Sequence, residues 1–429
     1  MKVMYVVFEA KLGGHVLSAF TVANEMKARG HEVLFVGKKG RLTPRIETEM
    51  PFVDLEIPIF HGSRQTYFTR RSWAAVGRLR RLIRERHVDL VHAFDAGSYM
   101  HCYLACLLEQ RPVLCTICGG VDPYYNLPPC HRLIVFSDEQ KNKMITQWHW
   151  PADRIEIIRN RLDLKYIGDE KQRLTRDELA GFGIRPDLPL IIMITSFRGL
   201  QINGIFRLID ALEIARGKNE FQMVFIGGES DEVESYAKRM DVRFGKGAVL
   251  FLKPIEDAFR FLMHASIVMG VGRCAFEGMA YGKPTIVIGD KGFAGVVEPK
   301  SVEDLAYYNF SGRNQKEPAP PELLAGVIRR LLENPAMRES MGGFGRRYVM
   351  EEFDVTIGAK RIEAIYIGML SGGAQGSTLW RLACFARLLV PVFYDNLMHR
   401  PRSLVKKALN LVTMGRLYPR STQAWLNSG

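Results

Sequence analysis

The chain has 429 residues, enough for two domains or three. Apolar residues make up 47% and charged residues 24%, an ordinary globular composition that excludes a wholly disordered chain. The net charge is +13, carried by two stripes of +7 each: residues 61–87, with eight arginines against Glu85, and residues 379–429, with eight basic residues against Asp395. Two local stripes on a neutral body argue against a nucleic-acid coat and for an anionic membrane surface.

Val3 to Phe8 reads as a short buried strand, and Glu9 and Lys11 end the apolar run too early for a secretory signal. Gly13-Gly14-His15 follows, then a helical pattern from Val16 to Arg29, a stop at Gly30 and a second strand from His31 to Val36. Strand, Gly-rich turn, helix, strand is how a doubly wound sheet begins. The rhythm continues with strands at Val88–Ala93, Val113–Ile117, Leu133–Phe136 and Ile155–Ile158, and helices at Ser98–Glu109 and Glu139–Trp148. Residues 164–189 lose periodicity and collect charge, Gly and Pro, which reads as a linker.

The rhythm then restarts. Strands are expected at Leu190–Thr195, Phe221–Ile226, Val249–Leu252, Ile267–Met269 and Thr285–Ile288. Helices are expected at Gly204–Arg216, Asp231–Met240, Ala258–His264, Ala275–Tyr281, Pro321–Glu333 and Met337–Glu352. The fold class is therefore α/β, with two doubly wound Rossmann-like domains facing across a cleft. Beyond residue 372 the apolar run Leu379–Tyr394, interrupted by Arg381 and Arg387, and the helically spaced Leu404 to Val412 read as a basic amphipathic tail for a bilayer interface. Packing of that tail on the domains is the alternative. No apolar stretch of about 18 residues marks a membrane span. The seven cysteines, odd in number and scattered, suit a reducing compartment, and Cys115-Thr-Ile-Cys118 reads as strand residues rather than a metal pair.

Helix N-termini after small residues attract anions, because unpaired N–H groups and the helix dipole both point at the ligand. Three such places stand out: Gly13-Gly14-His15; Ser196-Phe-Arg198-Gly199 leading to Asn203 and Gly204; and Gly270-Val-Gly272-Arg273 leading to Glu277. Arg198 can reach a phosphate, Asn203 is expected to cap the helix, and Gly204 to admit a ligand closely. Glu277, one and a half turns into its helix, suits a grip on the 2′- and 3′-hydroxyls of a ribose.

These residues resemble a known family. Glu277-Gly-Met-Ala-Tyr-Gly-Lys-Pro-Thr is similar to the "E-A-M-A-x-G-x-P-V" segment of GT-B glycosyltransferases, especially the family 4 group. Gly13-Gly14, Gly30-His31-Glu32-Val33, Val91-His92-Ala93, Asn160-Arg-Leu-Asp163, the Ser196–Gly204 loop and the closing helices support it in order and spacing, over residues 1–370. The resemblance implies an acceptor-side domain at 1–163, a linker at 164–189, a nucleotide-sugar-binding domain at 190–350 and a helix crossing back at 351–372; the tail at 373–429 lies beyond it. It implies transfer of a hexosyl group from a UDP- or GDP-linked sugar to a saccharide or lipid-linked acceptor, in envelope or exopolysaccharide synthesis. It also implies no cofactor and no metal, with retention favoured over inversion. Gly13, Gly14, Arg198, Asn203, Gly204, Arg273 and Glu277 would hold the donor, Arg198 would neutralise the diphosphate, and His15, ahead of His92, would be the acid/base group, with a structural role such as capping or core hydrogen bonding the alternative for either histidine. The enzyme would work in the cytoplasm, attached peripherally to the inner leaflet.

The chain departs from the pattern in three places. Asn203 replaces a lysine, Cys118 a histidine, and Met269 the first of two glutamates. Arg273 is expected to supply the charge missing at 203. The shorter loop before Glu277 and Gly13-Gly14-His15-Val16 also resemble the lipid-linked peptidoglycan branch of the fold. Two competing readings are a non-catalytic relative that binds a nucleotide-sugar or a partner, and a nucleotide-sugar epimerase, which should show more cleft carboxylates than Glu277 alone.

Overall fold

The computed structural model describes residues 1–58, 70–119, 132–159, 161–197, 201–217, 220–228 and 231–371. Arg198, Asn160, Arg64 and the whole basic tail at 373–429 lie outside the described residues. The chain divides into two compact units: one from Met1–Ile134, Met144–Glu156 and Ile362 onward, the other from Val135–Lys143 and Ile157–Arg361.

The first sheet is built from β1 (Lys2–Glu9), α1 (Gly14–Ala28), β2 (Glu32–Lys38), α2 (Thr43–Glu49), β3 (Phe52–Asp54), α3 (Arg70–Glu85), β4 (Leu90–Ala93), α4 (Ala96–Glu109), β5 (Val113–Ile117), β6 (Arg132–Val135), α5 (Asp138–Thr146) and β7 (Ile155–Ile157). Its strand order is β3-β2-β1-β4-β5-β6-β7. Val3 pairs in parallel with Val33 on one side and Leu90 on the other. Helices cover both faces, so Val3 to Val7 are fully buried and the strand is an unbroken apolar run rather than an alternating one.

The rest of the described chain comprises α6 (Leu164–Ile167), α7 (Arg176–Gly181), β8 (Leu190–Ile194), α8 (Gln201–Arg216), β9 (Gln222–Ile226), α9 (Asp231–Phe244), β10 (Val249–Leu252), α10 (Phe259–Leu262), β11 (Ile267–Gly270), α11 (Arg273–Ala280), β12 (Thr285–Gly289), β13 (Gly292–Val296), α12 (Val302–Tyr307), α13 (Pro321–Glu333), α14 (Pro335–Glu352) and α15 (Val355–Ser371). The second sheet has the order β10-β9-β8-β11-β12-β13, parallel except for the antiparallel β12–β13 pair. Both sheets are thus α/β and doubly wound. In each, the strand order reverses between the first strand and the fourth, where ligands of such sheets bind.

Residues 164–189 hold α6 and α7, and Ile167, Leu174, Leu179 and Ile184 enter the core beneath the second sheet. The helix α7 begins with a capping box between Thr175 and Glu178. Part of the first basic stripe is α3, an amphipathic helix that buries Ser72, Ala75, Val76, Leu79 and Ile83 and exposes Arg70, Arg71, Arg78, Arg81 and Arg84. The last helix, α15, is tied to the first unit by Glu363, which accepts from Arg29 Nε at 2.9 Å and lies 2.7 Å from His31 Nε2. That contact gives the Gly30-His31 motif a structural reason. Among the described residues no helix is long and apolar enough to cross a membrane.

Candidate functional site

Each unit carries candidate residues at its own switch point. In the first unit, β1 leads through Gly13 into α1, and Gly13 stands at the N-cap with no side chain capping the helix. Its first-turn N–H groups are therefore open to an anion. His15 lies in that first turn, half-buried. Burial lowers its pKa, Asp95 opposes the shift, and Lys11 adds to it. The net shift favours the neutral imidazole. Asp95, at the end of β4, accepts from the N–H of Phe8 at 3.0 Å and of Ser98 at 2.6 Å, which caps α4. Sequence reading passed over Asp95. Its signal was there: an acid directly after a strand and three residues before a serine that opens a helix.

His92 is no part of such chemistry. It is fully buried, with Nδ1 2.6 Å from Tyr366 Oη and Nε2 2.7 Å from Thr116 Oγ1. Burial pushes its pKa down to about 3, so it is a neutral core residue. Cys115 is buried in β5 and Cys118 follows that strand. Among the described residues no group of three or more His, Cys, Asp or Glu is placed to hold a metal ion.

In the second unit, β11 runs into α11 through Gly270-Val-Gly272. A Cβ on Gly270 would lie 2.8 Å from Cys274 Sγ, and Gly272 has φ +53 at the N-cap, a conformation that favours glycine. This turn, like Gly13, leaves the helix without a side-chain cap. Arg273 and Glu277 follow, one turn apart on one face. Arg273 Nε donates to Glu277 Oε1 at 2.6 Å, and the Glu277 side chain is 8% exposed. Arg273 Nη1 is buried and finds no further partner. Behind the helix, the buried Arg161 guanidinium sits 4.8 Å from the ring centre of Phe276 and 4.0 Å from that of Phe136, and donates to Asn309 Oδ1 at 2.8 Å. Arg161 thus braces the residue beside Glu277. Met269, at the place of the missing glutamate, is a fully buried strand residue.

Two details of the neighbouring loop correct the sequence reading. Asn203 does not cap α8, which begins at Gln201; it lies in the first turn and donates through Nδ2 to Asp290 Oδ1 at 3.2 Å. Gly204 is needed for backbone packing, because a Cβ there would lie 2.0 Å from the carbonyl oxygen of Gly289. The close approach comes from the β12–β13 turn.

Sequence comparison matches residues 12–166 to the family described as Glycosyltransferase Family 4 and residues 176–348 to Glycosyl transferases group 1. The chain is a GT-B glycosyltransferase of the family 4 type. No curated protein matches the glycosyltransferase in sequence. Solved structures share its fold. A glycosyltransferase from Rickettsia africae is 17% identical with a TM-score of 0.66, covering 86% of this chain and 98% of that one. Anabaena HepE in complex with UDP-glucose is 16% identical with a TM-score of 0.65, covering 85% and 99%. The UDP-GlcNAc 2-epimerase of Neisseria meningitidis, bound to UDP-GlcNAc, is 14% identical with a TM-score of 0.58, covering 86% and 100%. The same fold therefore serves transferases and epimerases, and the family matches decide between them.

Proposed function

We propose that this glycosyltransferase moves a hexosyl group from a UDP-linked sugar to a saccharide or lipid-linked acceptor of the cell envelope or an exopolysaccharide. The observation that carries the reading is the Arg273–Glu277 pair at the uncapped start of α11, beside the switch point of the second sheet. Glu277 accepts hydrogen bonds from the ribose hydroxyls. The first-turn N–H groups of α11, Arg273 and Arg198 stabilise the charge that develops on the departing nucleoside diphosphate, as fixed donors and dipoles do in a dry site. Asn203, bound to Asp290, adds no charge there, so Arg273 replaces the absent lysine. By the family resemblance, Gly13 and Gly14 serve the sugar-phosphate and His15 is the acid/base group. The donor complex of Anabaena HepE supports UDP as the nucleotide. The reaction proceeds with retention and without a metal, and the enzyme works at the inner face of the cell membrane.

The experiment is a nucleotide-sugar screen by thermal shift, followed by transfer assays with the responding donor, with and without chelator. A ligand present at 100 times its Kd stabilises by about 2.7 kcal/mol. The expected result is a UDP-hexose response and chelator-insensitive transfer. No response to any nucleotide-sugar would overturn the proposal. A response without transfer to any saccharide or lipid-linked acceptor would favour the binding-only reading that Asn203 motivates.

A further inference from the structure

The second unit holds a cavity apart from the proposed donor site. Arg173, Leu174, Thr175, Arg176, Pro186 and His264 line about 370 Å³. Pro186 leads into β8 and His264 into β11, where the Ser266 N–H donates to the Leu190 carbonyl at 2.7 Å. The cavity therefore lies at the amino ends of these strands, whereas Gly272 and Arg273 follow the carboxyl end of β11.

Its lining is cationic and under-compensated. The ion pairs of this part of the chain, Arg185 with Glu220, Arg243 with Asp210 and Glu213, and Arg273 with Glu277, leave out Arg173 and Arg176 among the described residues. The adjacent acid Glu178 is committed to the capping box, accepting the Thr175 N–H at 2.7 Å. Asp177, an exposed residue of α7, is not among the residues that line the cavity, and the Arg260 guanidinium donates to the Gln172 carbonyl at 2.8 Å. His264 hydrogen-bonds the backbone of Leu174, while its Nε2 is buried without a partner. Its pKa is lowered by burial first, then by the fields of Arg173 and Lys283. Lys283 is itself held down by burial. The two cations facing His264 thus repel a proton, and the bond to the Leu174 backbone opposes them.

We propose that this cavity binds a small phosphomonoester, its phosphate between Arg173 and Arg176 and its body against Leu174 and Pro186. Two planar guanidinium forks match phosphate oxygens better than point charges do. Leu174 and Pro186 give an uncharged body an apolar wall, which inorganic phosphate cannot use. His264 then acts as a built-in reporter, because a bound dianion offsets the Arg173 field and raises the imidazole pKa.

The test is NMR of the full chain labelled at histidine Cε1, with the His264 resonance identified by its loss in His264→Gln. Glycerol 3-phosphate and inorganic phosphate are titrated separately, each with saturating UDP present to occupy the proposed donor site. Glycerol 3-phosphate should move the His264 titration upward by about one pH unit, saturably and at lower concentration than inorganic phosphate. Arg173→Ala/Arg176→Ala, whose exposed side chains leave the fold intact, should abolish the response. A His264 resonance indifferent to both probes, or equally responsive in the double variant, would overturn the site. A stronger response to inorganic phosphate would overturn the ester. None of these outcomes depends on transfer activity.

Discussion

Tyr366 Oη lies 2.6 Å from His92 Nδ1, although 274 residues separate them in sequence. Tyr5 Oη meets Tyr366 Oη at 2.8 Å, and His92 Nε2 meets Thr116 Oγ1 at 2.7 Å, so four buried groups form one chain between α15 and the first sheet. A neutral imidazole, one donor and one acceptor, completes that chain; a protonated one has no lone pair to offer.

The consequence is acid sensitivity. The His92 pKa falls from 6.5 to about 3 on folding, so its neutral-state stability is complete above 6.5 and is lost as pH falls from there toward 3. His92→Gln should be about 1–3 kcal/mol less stable than wild type at neutral pH, from the broken buried hydrogen bonds. The gap should narrow as pH is lowered, because only the wild type must take up that proton on unfolding. Urea melts at several pH values check this, and a gap that stays constant with pH would contradict it.

Glycines at backbone contacts make a second prediction. A Cβ at Gly204 would lie 2.0 Å from the Gly289 oxygen, and one at Gly342 would lie 1.9 Å from the Gly282 oxygen. Neither neighbour can rotate away. Gly204→Ala and Gly342→Ala should each cost about 1–3 kcal/mol, the range for overpacking, or more. Gly326, inside α13 with nothing within 4 Å of the place a Cβ would take, is the control. Gly326→Ala should stabilise by about 0.5–1 kcal/mol through helix propensity alone. Equal urea midpoints for Gly204→Ala and wild type would refute the packing account.

The donor side gives a third. Glu277→Ala should abolish transfer, and Arg198→Ala should lower it by about 100-fold or more, the usual effect of removing one charge-stabilising donor. Arg273→Ala should raise the donor KM and lower kcat together, if the side chain that bonds Glu277 also stabilises the diphosphate as proposed. Circular dichroism and melting curves establish folding in each variant. Wild-type turnover by Glu277→Ala would sink the site assignment.

Both doubly wound sheets were legible because their buried strands are short apolar runs between glycine turns and helical periods. The short elements were not. With three residues, β3 carries too little pattern, and the glycines of β13 hide a strand whose pairing with β12 is set by the hairpin. The helix α3 was read only as charge, because Ala75, Val76, Leu79 and Ile83 are outnumbered by arginines although they fall at helical spacing. At the start of α11, the Gly272 turn and the place of Glu277 on the helix were legible, because a glycine turn and an acid within one helical run leave a sequence trace. The roles of Asn203 and Gly204 were not, since Asp290 and Gly289 reach them from a turn more than eighty residues away. The Arg273–Glu277 pair was within reach, being a four-residue spacing on one helix face.

The last prediction concerns the membrane. Arg70, Arg71, Arg78, Arg81 and Arg84 are exposed along α3, with Trp73 46% exposed among them. Arg84 also lies 3.4 Å from Glu109, which leaves four arginines of that face without this acid. At about 1 kcal/mol per basic residue near an anionic leaflet, four give roughly 4 kcal/mol, enough for weak attachment that salt within physiological range erodes. Trp73 favours the interface, where an amphipathic ring sits at headgroup level. The basic tail, by sequence, adds a second positively charged segment to that attraction. Co-sedimentation should show the full chain on anionic vesicles and not on neutral ones, with binding weakened by high salt, by Arg78→Glu/Arg81→Glu, and by ending the chain at Gly372. If the full chain ignores anionic vesicles at low salt, the exposed arginines of α3 serve solubility alone, and the acceptor must reach the enzyme in solution.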